Sequence, residues 1–132
     1  MRDYQRTRRN PYILPSDLWH RTLYFIRGYD RMREEYDDRI EEGMSPGSDG
    51  VPGGKTYRTG DPTGMKAIKL SVLGEQIRAI EKAKLVVPYE YMDSIWDNIM
   101  TRNPYPNDAH RNTYGYWKGR FVYEVARNMN WI

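Results

Sequence analysis

Three side chains near the end of the chain, Arg111, Asn112 and Lys118, are of the types that recognise nucleic acid. A guanidinium pairs at two points with guanine, a carboxamide does so with adenine, and an ammonium group neutralises a backbone phosphate. They sit in the first turns of the last helical segment, where a recognition helix makes its base contacts, with His110 and Tyr114 on the flank. A second basic group, Arg6, Arg8 and Arg9, lies within the first ten residues, where Asp3 is the only acid. Such an arm suits phosphates. Between the two basic groups, residues 30–42 carry seven carboxylates against Arg31, Arg33 and Arg39. Glu34, Glu35, Asp37, Asp38 and Glu41 could therefore offer a basic protein groove an imitation of nucleic acid.

The chemistry of an enzyme is missing. There are no cysteines, which excludes disulfides, thiolate metal sites and cysteine nucleophiles. His20 and His110 are far apart and have no metal-ligand spacing, and no serine has a matching histidine and aspartate. Neighbouring carboxylates of the acidic segment diverge by about 100° on a helix, which works against their closing round a cation. Gly53-Gly54-Lys55-Thr56 resembles the end of a phosphate-binding loop, but it lacks the earlier glycine and the strand-to-helix context. Neither catalysis nor a cofactor or metal is expected.

The periodicity that must position these groups is helical throughout, so the fold class is all-α. A helix over 16–42 is expected, capped by Ser16 and stopped by Gly43. Its stripe is Leu18, Thr22, Phe25, Tyr29, Met32, Tyr36 and Ile40, widened at the front by Trp19, Leu23 and Ile26. Gly28 marks a close contact or a bend within it. Residues 43–60, rich in Gly and Pro, read as a linker. A second helix follows, with Asp61 as cap and Pro62 in the first position, and with Met65, Ile68, Val72, Leu73, Ile77 and Ile80 on its apolar face. These two helices should form a long antiparallel pair. A helix-turn-helix over 88–129 completes the chain, with Met92, Ile95, Trp96, Ile99 and Met100 inward on its first helix. Pro104 and Pro106 form its turn, and Asn107 or Asp108 caps the last helix. The expected layout is a basic arm over 1–13, loosely docked or free, and one helical domain over 14–132.

On a wheel of the last helix, Ala109, Thr113, Trp117, Phe121 and Val125 form a core sector. Asp108, Arg111, Asn112, Gly115, Lys118 and Gly119 point away from it. Two outward glycines cost helix propensity, about 1 kcal/mol each. Close approach of a phosphate backbone would offset that, and so would a small-residue seam for another helix, as in a homodimer.

The chain has 132 residues, a net charge of +3 and a pI near 9.1, and no run approaches the roughly 20 apolar residues of a membrane span. A cytoplasmic protein without membrane contact is expected.

Leu14-Pro15 before a Tyr-, Arg- and Asp-rich helix, and then Gly60-Asp61-Pro62-Thr63-Gly64, resemble small prophage proteins of Gram-positive bacteria. Residues 95–99 (Ile-Trp-Asp-Asn-Ile), Pro104-Tyr105-Pro106, and Ala109, Thr113, Trp117, Arg120-Phe121 and Val125-Ala126 extend the likeness. The family is that of RinA-like phage transcriptional activators, whose C-terminal unit is similar to sigma-factor region 4. The resemblance implies a sequence-specific transcription regulator that binds double-stranded DNA in the host bacterial cytoplasm, beside host RNA polymerase. Recognition would lie between Asp108 and Lys118. The glycines at 115 and 119 depart from the polar face such a reader would carry. The alternative is a phage module that binds a host protein, such as a defence nuclease, through the acidic helix.

Overall fold

The computed structural model describes residues 3–44 and 62–132, and among the described residues there are five α-helices and no strand. They are α1 (Ser16–Arg27), α2 (Tyr29–Met44), α3 (Pro62–Lys84), α4 (Tyr89–Thr101) and α5 (Arg111–Asn128). The all-α class expected from periodicity holds for these residues.

The first long helix is divided. Gly28 leaves α1 with φ −85° and ψ 5°, and its N–H donates to Phe25 O at 3.0 Å, an i−3 bond that tightens the turn. Side chains on either side of the break are committed elsewhere. Arg27 donates through Nε to Ile99 O and through its terminal nitrogen to Asp3 Oδ1, at 2.7 and 2.6 Å. The buried stripe of α1 is Trp19, Thr22, Leu23 and Ile26, one position round from the Leu18–Phe25 line. Pro15, not Ser16, stands before the helix, with its carbonyl accepting from Trp19 N–H. Pro62 opens α3 as expected. Asp61 and the glycine-rich 45–60, including Gly53-Gly54-Lys55-Thr56, lie outside the described residues.

The chain divides into two compact units, one of Met1–Tyr29 with Arg78–Ile132 and one of Asp30–Ile77. In the first, α1 packs on α4 and α5, and α4 packs on α5. Leu23, Ile26, Ile80, Ile95, Ile99, Phe121, Val122 and Val125 fill its centre with no exposed surface. Aromatic edges close the periphery: Trp96 stands edge-on to Tyr29 and to Phe121, with the Lys84 ammonium 3.9 Å from its ring centre. Arg21 lies over Trp131 at 4.0 Å, next to Phe25.

The N-terminal arm belongs to this unit and is tied into it at several points. Gln5 clasps the Leu14 backbone with both amide atoms, donating to its carbonyl and accepting from its N–H, each at 2.8 Å. Trp19 Nε1 donates to Asp3 O at 2.6 Å. Asp3 also bridges Arg27 and Arg102 through its two carboxylate oxygens. Burial would raise the pKa of Asp3, but the hydrogen bonds and charges of the two arginines outweigh it and hold the carboxyl below its ordinary value.

The second unit contains most of α2 and the front of α3. Along α2, Glu35 pairs with both Arg31 and Arg39, and Arg33 pairs with Asp37, all at i,i+4 spacing. Exposed pairs of this kind contribute about 0.3–0.5 kcal/mol each. Met32, Leu73 and Ile77 are buried, whereas Met65, Ile68 and Val72 are about half exposed. The expected apolar face of α3 is therefore covered only in its second half.

Candidate nucleic-acid interface

The last helix is rotated from the expected wheel. Its covered stripe runs Tyr114, Lys118, Phe121, Val122 and Val125, at spacings of three and four, with Gly119 and Ala126 beside it. Trp117 and Thr113, expected in the core, are only half-buried. The error has a physical source: a lysine at a core position reads as an outward residue, and taking Lys118 as outward turns the whole helix. Continued toward the N-terminus, the same stripe reaches Arg111. There the helix has begun but the protein has not closed over it.

Lys118 is 2% exposed, and its Nζ donates to Asn98 Oδ1 at 2.8 Å. Asn98 is itself buried and donates to Asn103 O at 2.7 Å, which fixes its amide on the turn after α4. Burial lowers the pKa of Lys118 to about 8. Asp3 opposes that fall, and the charges of Arg27 and Arg102 add to it. Lys118 is thus not on an outward face.

Tyr114 is also buried, stacked on Tyr105 with ring centres 4.8 Å apart, and its hydroxyl donates to Asp108 Oδ1. Burial and the neighbouring Asp108 carboxylate raise its pKa. His110 is the N-cap of α5: its Nδ1 accepts from Asn112 N–H at 2.9 Å, the role expected of Asn107 or Asp108. Of the five residues expected at the start of this helix to meet DNA, His110, Arg111 and Asn112 are exposed, and Tyr114 and Lys118 are buried.

The two glycines face the chain's own N-terminal arm. A Cβ on Gly115 would lie 3.6 Å from Arg6 Cδ, and one on Gly119 would lie 3.1 Å from Asn10 Nδ2. Asn10 is buried, donates to Arg6 O at 2.6 Å and accepts from Tyr12 N–H at 2.9 Å, so it folds the arm back along α5. Tyr12 then lies under the Arg120 guanidinium at 4.2 Å and edge-on to Tyr116 and Tyr123. Burial alone would lower the pKa of Arg120, but its hydrogen bond to Glu124 at 3.0 Å, helped by Tyr12 and Tyr116, outweighs burial and leaves it raised. The small-residue seam is real, and a segment of the same molecule fills it. Arg8 and Arg9 remain exposed, Arg9 in the left-handed region at φ 54°.

A cavity of about 490 Å³ opens at the first turn of α5. Arg6, Arg111 and Lys118 line it, so three side chains singled out in the sequence do meet in space. Tyr4, Tyr105 and Asn98 supply most of the remaining wall, along with Pro104 and Pro106. The part played by Tyr4, Asn98 and Tyr105 was not legible in the sequence, because it depends on how the 102–110 connection and the arm fold over the helix. The acidic residues Glu34, Asp37, Asp38 and Glu41 lie exposed on α2, with Glu35 half-buried between its arginines. No described helix is long and apolar enough to cross a membrane. Comparison of the chain with protein-family models, characterised proteins and solved structures finds no match.

Proposed function

We propose that the protein is a DNA-binding regulator of phage transcription, of the kind its resemblance to RinA-like activators implies. In this reading α4 and α5 act as a helix-turn-helix that offers the start of α5 to the duplex. The observation that carries it is the exposure of Arg111 and Asn112 on the first turn of α5, with Arg6 held against Gly115 of the same helix. Arg111 and Asn112 then read bases, while Arg6, Arg8 and Arg9 contact phosphates. Lys118 and Tyr114 support that surface from beneath, and His110 caps the helix beside it. The 102–110 connection is longer than the 3–4 residues of a compact turn, and the extra length forms a wall of the cavity.

Binding to a promoter-containing fragment of phage DNA, measured against salt, tests the reading. Arg111→Ala should weaken binding, and Arg8→Ala with Arg9→Ala should reduce the salt slope by about 2, close to 0.9 per phosphate contact. Absence of salt-sensitive binding at low ionic strength would refute it.

A second reading rests on α2, where Glu34, Asp37, Asp38 and Glu41 are exposed and suit a basic groove on a host protein. Capture of a host protein that survives reversal of these four charges would exclude it.

A further inference from the structure

We infer that residues 6–10 form a pre-set phosphate clamp, in which Asn10 is a positioning residue that holds Arg8 and Arg9 beside α5 before any nucleic acid arrives. The inference rests on the DNA reading of the start of α5 and deepens it. A basic tail of this kind ordinarily becomes ordered only on contact with DNA, at a cost in affinity. Here the ordering is completed when the protein folds.

The segment is closed on itself and seated on the helix at both ends. Asn10 Nδ2 donates to Arg6 O at 2.6 Å, which joins the ends of the turn. Asn10 Oδ1 accepts from Tyr12 N–H at 2.9 Å, so both halves of this buried amide are used. A Cβ at Gly115 would lie 3.8 Å from Arg6 Cβ, and one at Gly119 would lie 3.1 Å from Asn10 Nδ2. Positions 6 and 10 therefore rest against 115 and 119, and the turn runs alongside α5 in the same direction. On either side of it, Gln5 clasps Leu14 and Tyr12 lies under Arg120.

What the turn leaves outside is Thr7, Arg8 and Arg9, all exposed. Arg9 has φ 54°, a left-handed conformation that a residue with a Cβ keeps only where its surroundings impose it. Among the described residues neither Arg8 nor Arg9 pairs with a carboxylate. The acid of the arm, Asp3, is divided between Arg27 and Arg102. Tyr4 and Arg6 line the cavity that Arg111 also lines, which brings the arm to the end of α5 that carries the exposed Arg111 and Asn112. Two guanidinium forks thus leave a fixed backbone beside the helix, suited to the phosphates that flank the bases it reads.

Fluorescence anisotropy of the full chain with a labelled duplex of mixed sequence, repeated across salt, tests the clamp, because phosphate contacts do not depend on sequence. Asn10→Ala keeps every cation and frees the turn. It should weaken binding by about tenfold, the equivalent of ordering roughly one backbone residue again on contact, and leave the salt slope within about 0.5 of the original. Arg8→Ala with Arg9→Ala should instead lower the slope by about 2. A disulfide supplies the converse test, since the chain has no cysteine of its own and the 3.8 Å between Cβ positions 6 and 115 suits one. In an Asn10→Ala protein that also carries Arg6→Cys and Gly115→Cys, oxidation should tighten binding several-fold over the reduced form, with the helical circular dichroism of the two forms equal. If Asn10→Ala loses that signal, Asn10→Asp replaces it, which keeps the acceptor for Tyr12 N–H and removes the donor to Arg6 O. The clamp is overturned if freeing the turn leaves affinity unchanged, or if oxidation leaves it unchanged or weakens it, which would make the arm a cover over α5. Absence of salt-sensitive binding by the unaltered protein overturns the DNA reading and the clamp together, so the two failures are told apart.

Discussion

The buried ammonium of Lys118 should make the protein more stable as the solution becomes mildly alkaline. In the folded state its pKa is lowered from 10.5 to about 8, with burial as the main cause. Between those two values the unfolded chain holds a proton that the folded chain has released, so raising the pH favours folding. The full span corresponds to about 3 kcal/mol, and the part between pH 7 and 9.5 to about 2 kcal/mol. Above pH 10 the trend should reverse. Burial raises the pKa values of Tyr105 and Tyr114, so the unfolded chain loses those protons first. Urea unfolding followed by circular dichroism at constant ionic strength, in buffers without phosphate, measures the change. Lys118→Met keeps an unbranched stem in the core but has nothing to titrate. The difference in slope between the two proteins isolates the one group. If both gain the same stability within about 0.5 kcal/mol between pH 7 and 9.5, the ammonium is not held in a desolvated site, because the same linkage requires the difference.

Two further perturbations address the arm. Gly115→Ala should stabilise the protein by about 0.5–1 kcal/mol through helix propensity, because its Cβ would meet Arg6 only at ordinary contact distance. Gly119→Ala should lose most of that gain, because Asn10 Nδ2 would lie 3.1 Å away and is anchored on Arg6 O, and a comparison of the two melting temperatures checks the contrast. Asp3→Asn should cost on the order of 1–3 kcal/mol by leaving Arg27 and Arg102 without their shared carboxylate. The lowered folded pKa gives the sign of the pH effect. The contribution of Asp3 is present above its unfolded pKa, near 3.8, and fades as pH falls through the lower folded value. Acid unfolding curves of the two proteins should converge there.

The helical class and the approximate bounds of α4 and α5 were legible because their signals are local. Prolines at 62, 88, 104 and 106 punctuate the chain, and Met92, Ile95 and Ile99 recur at helical spacing. The break at Gly28 was visible as a propensity cost, though not as a full stop, since the bonds that hold Arg27 come from residues 24 and 72 positions away. The wheel of α5 failed for a related reason. Lys118 is tolerated inside because Asn98 accepts from it, and that partner sits on another helix. The glycines could be noticed but not interpreted. What meets them is Arg6 and Asn10 of the N-terminal arm, a segment whose sequence has no period and whose structure comes from side-chain bonds to its own backbone.

The first compact unit joins the earliest residues to the latest ones, and this orders its life on the ribosome. Trp19, Leu23 and Ile26 are synthesised roughly a hundred residues before Phe121, Val122 and Val125, which complete the core they belong to. At about 5–20 residues per second, that apolar stripe waits on the order of 5–20 s for its partners. Asp3 waits equally long for Arg102. During that interval α1 can only be a fluctuating helix with an uncovered face. The nascent chain therefore passes through a stage in which a chaperone, or a neighbouring nascent copy, meets the stripe before α5 does.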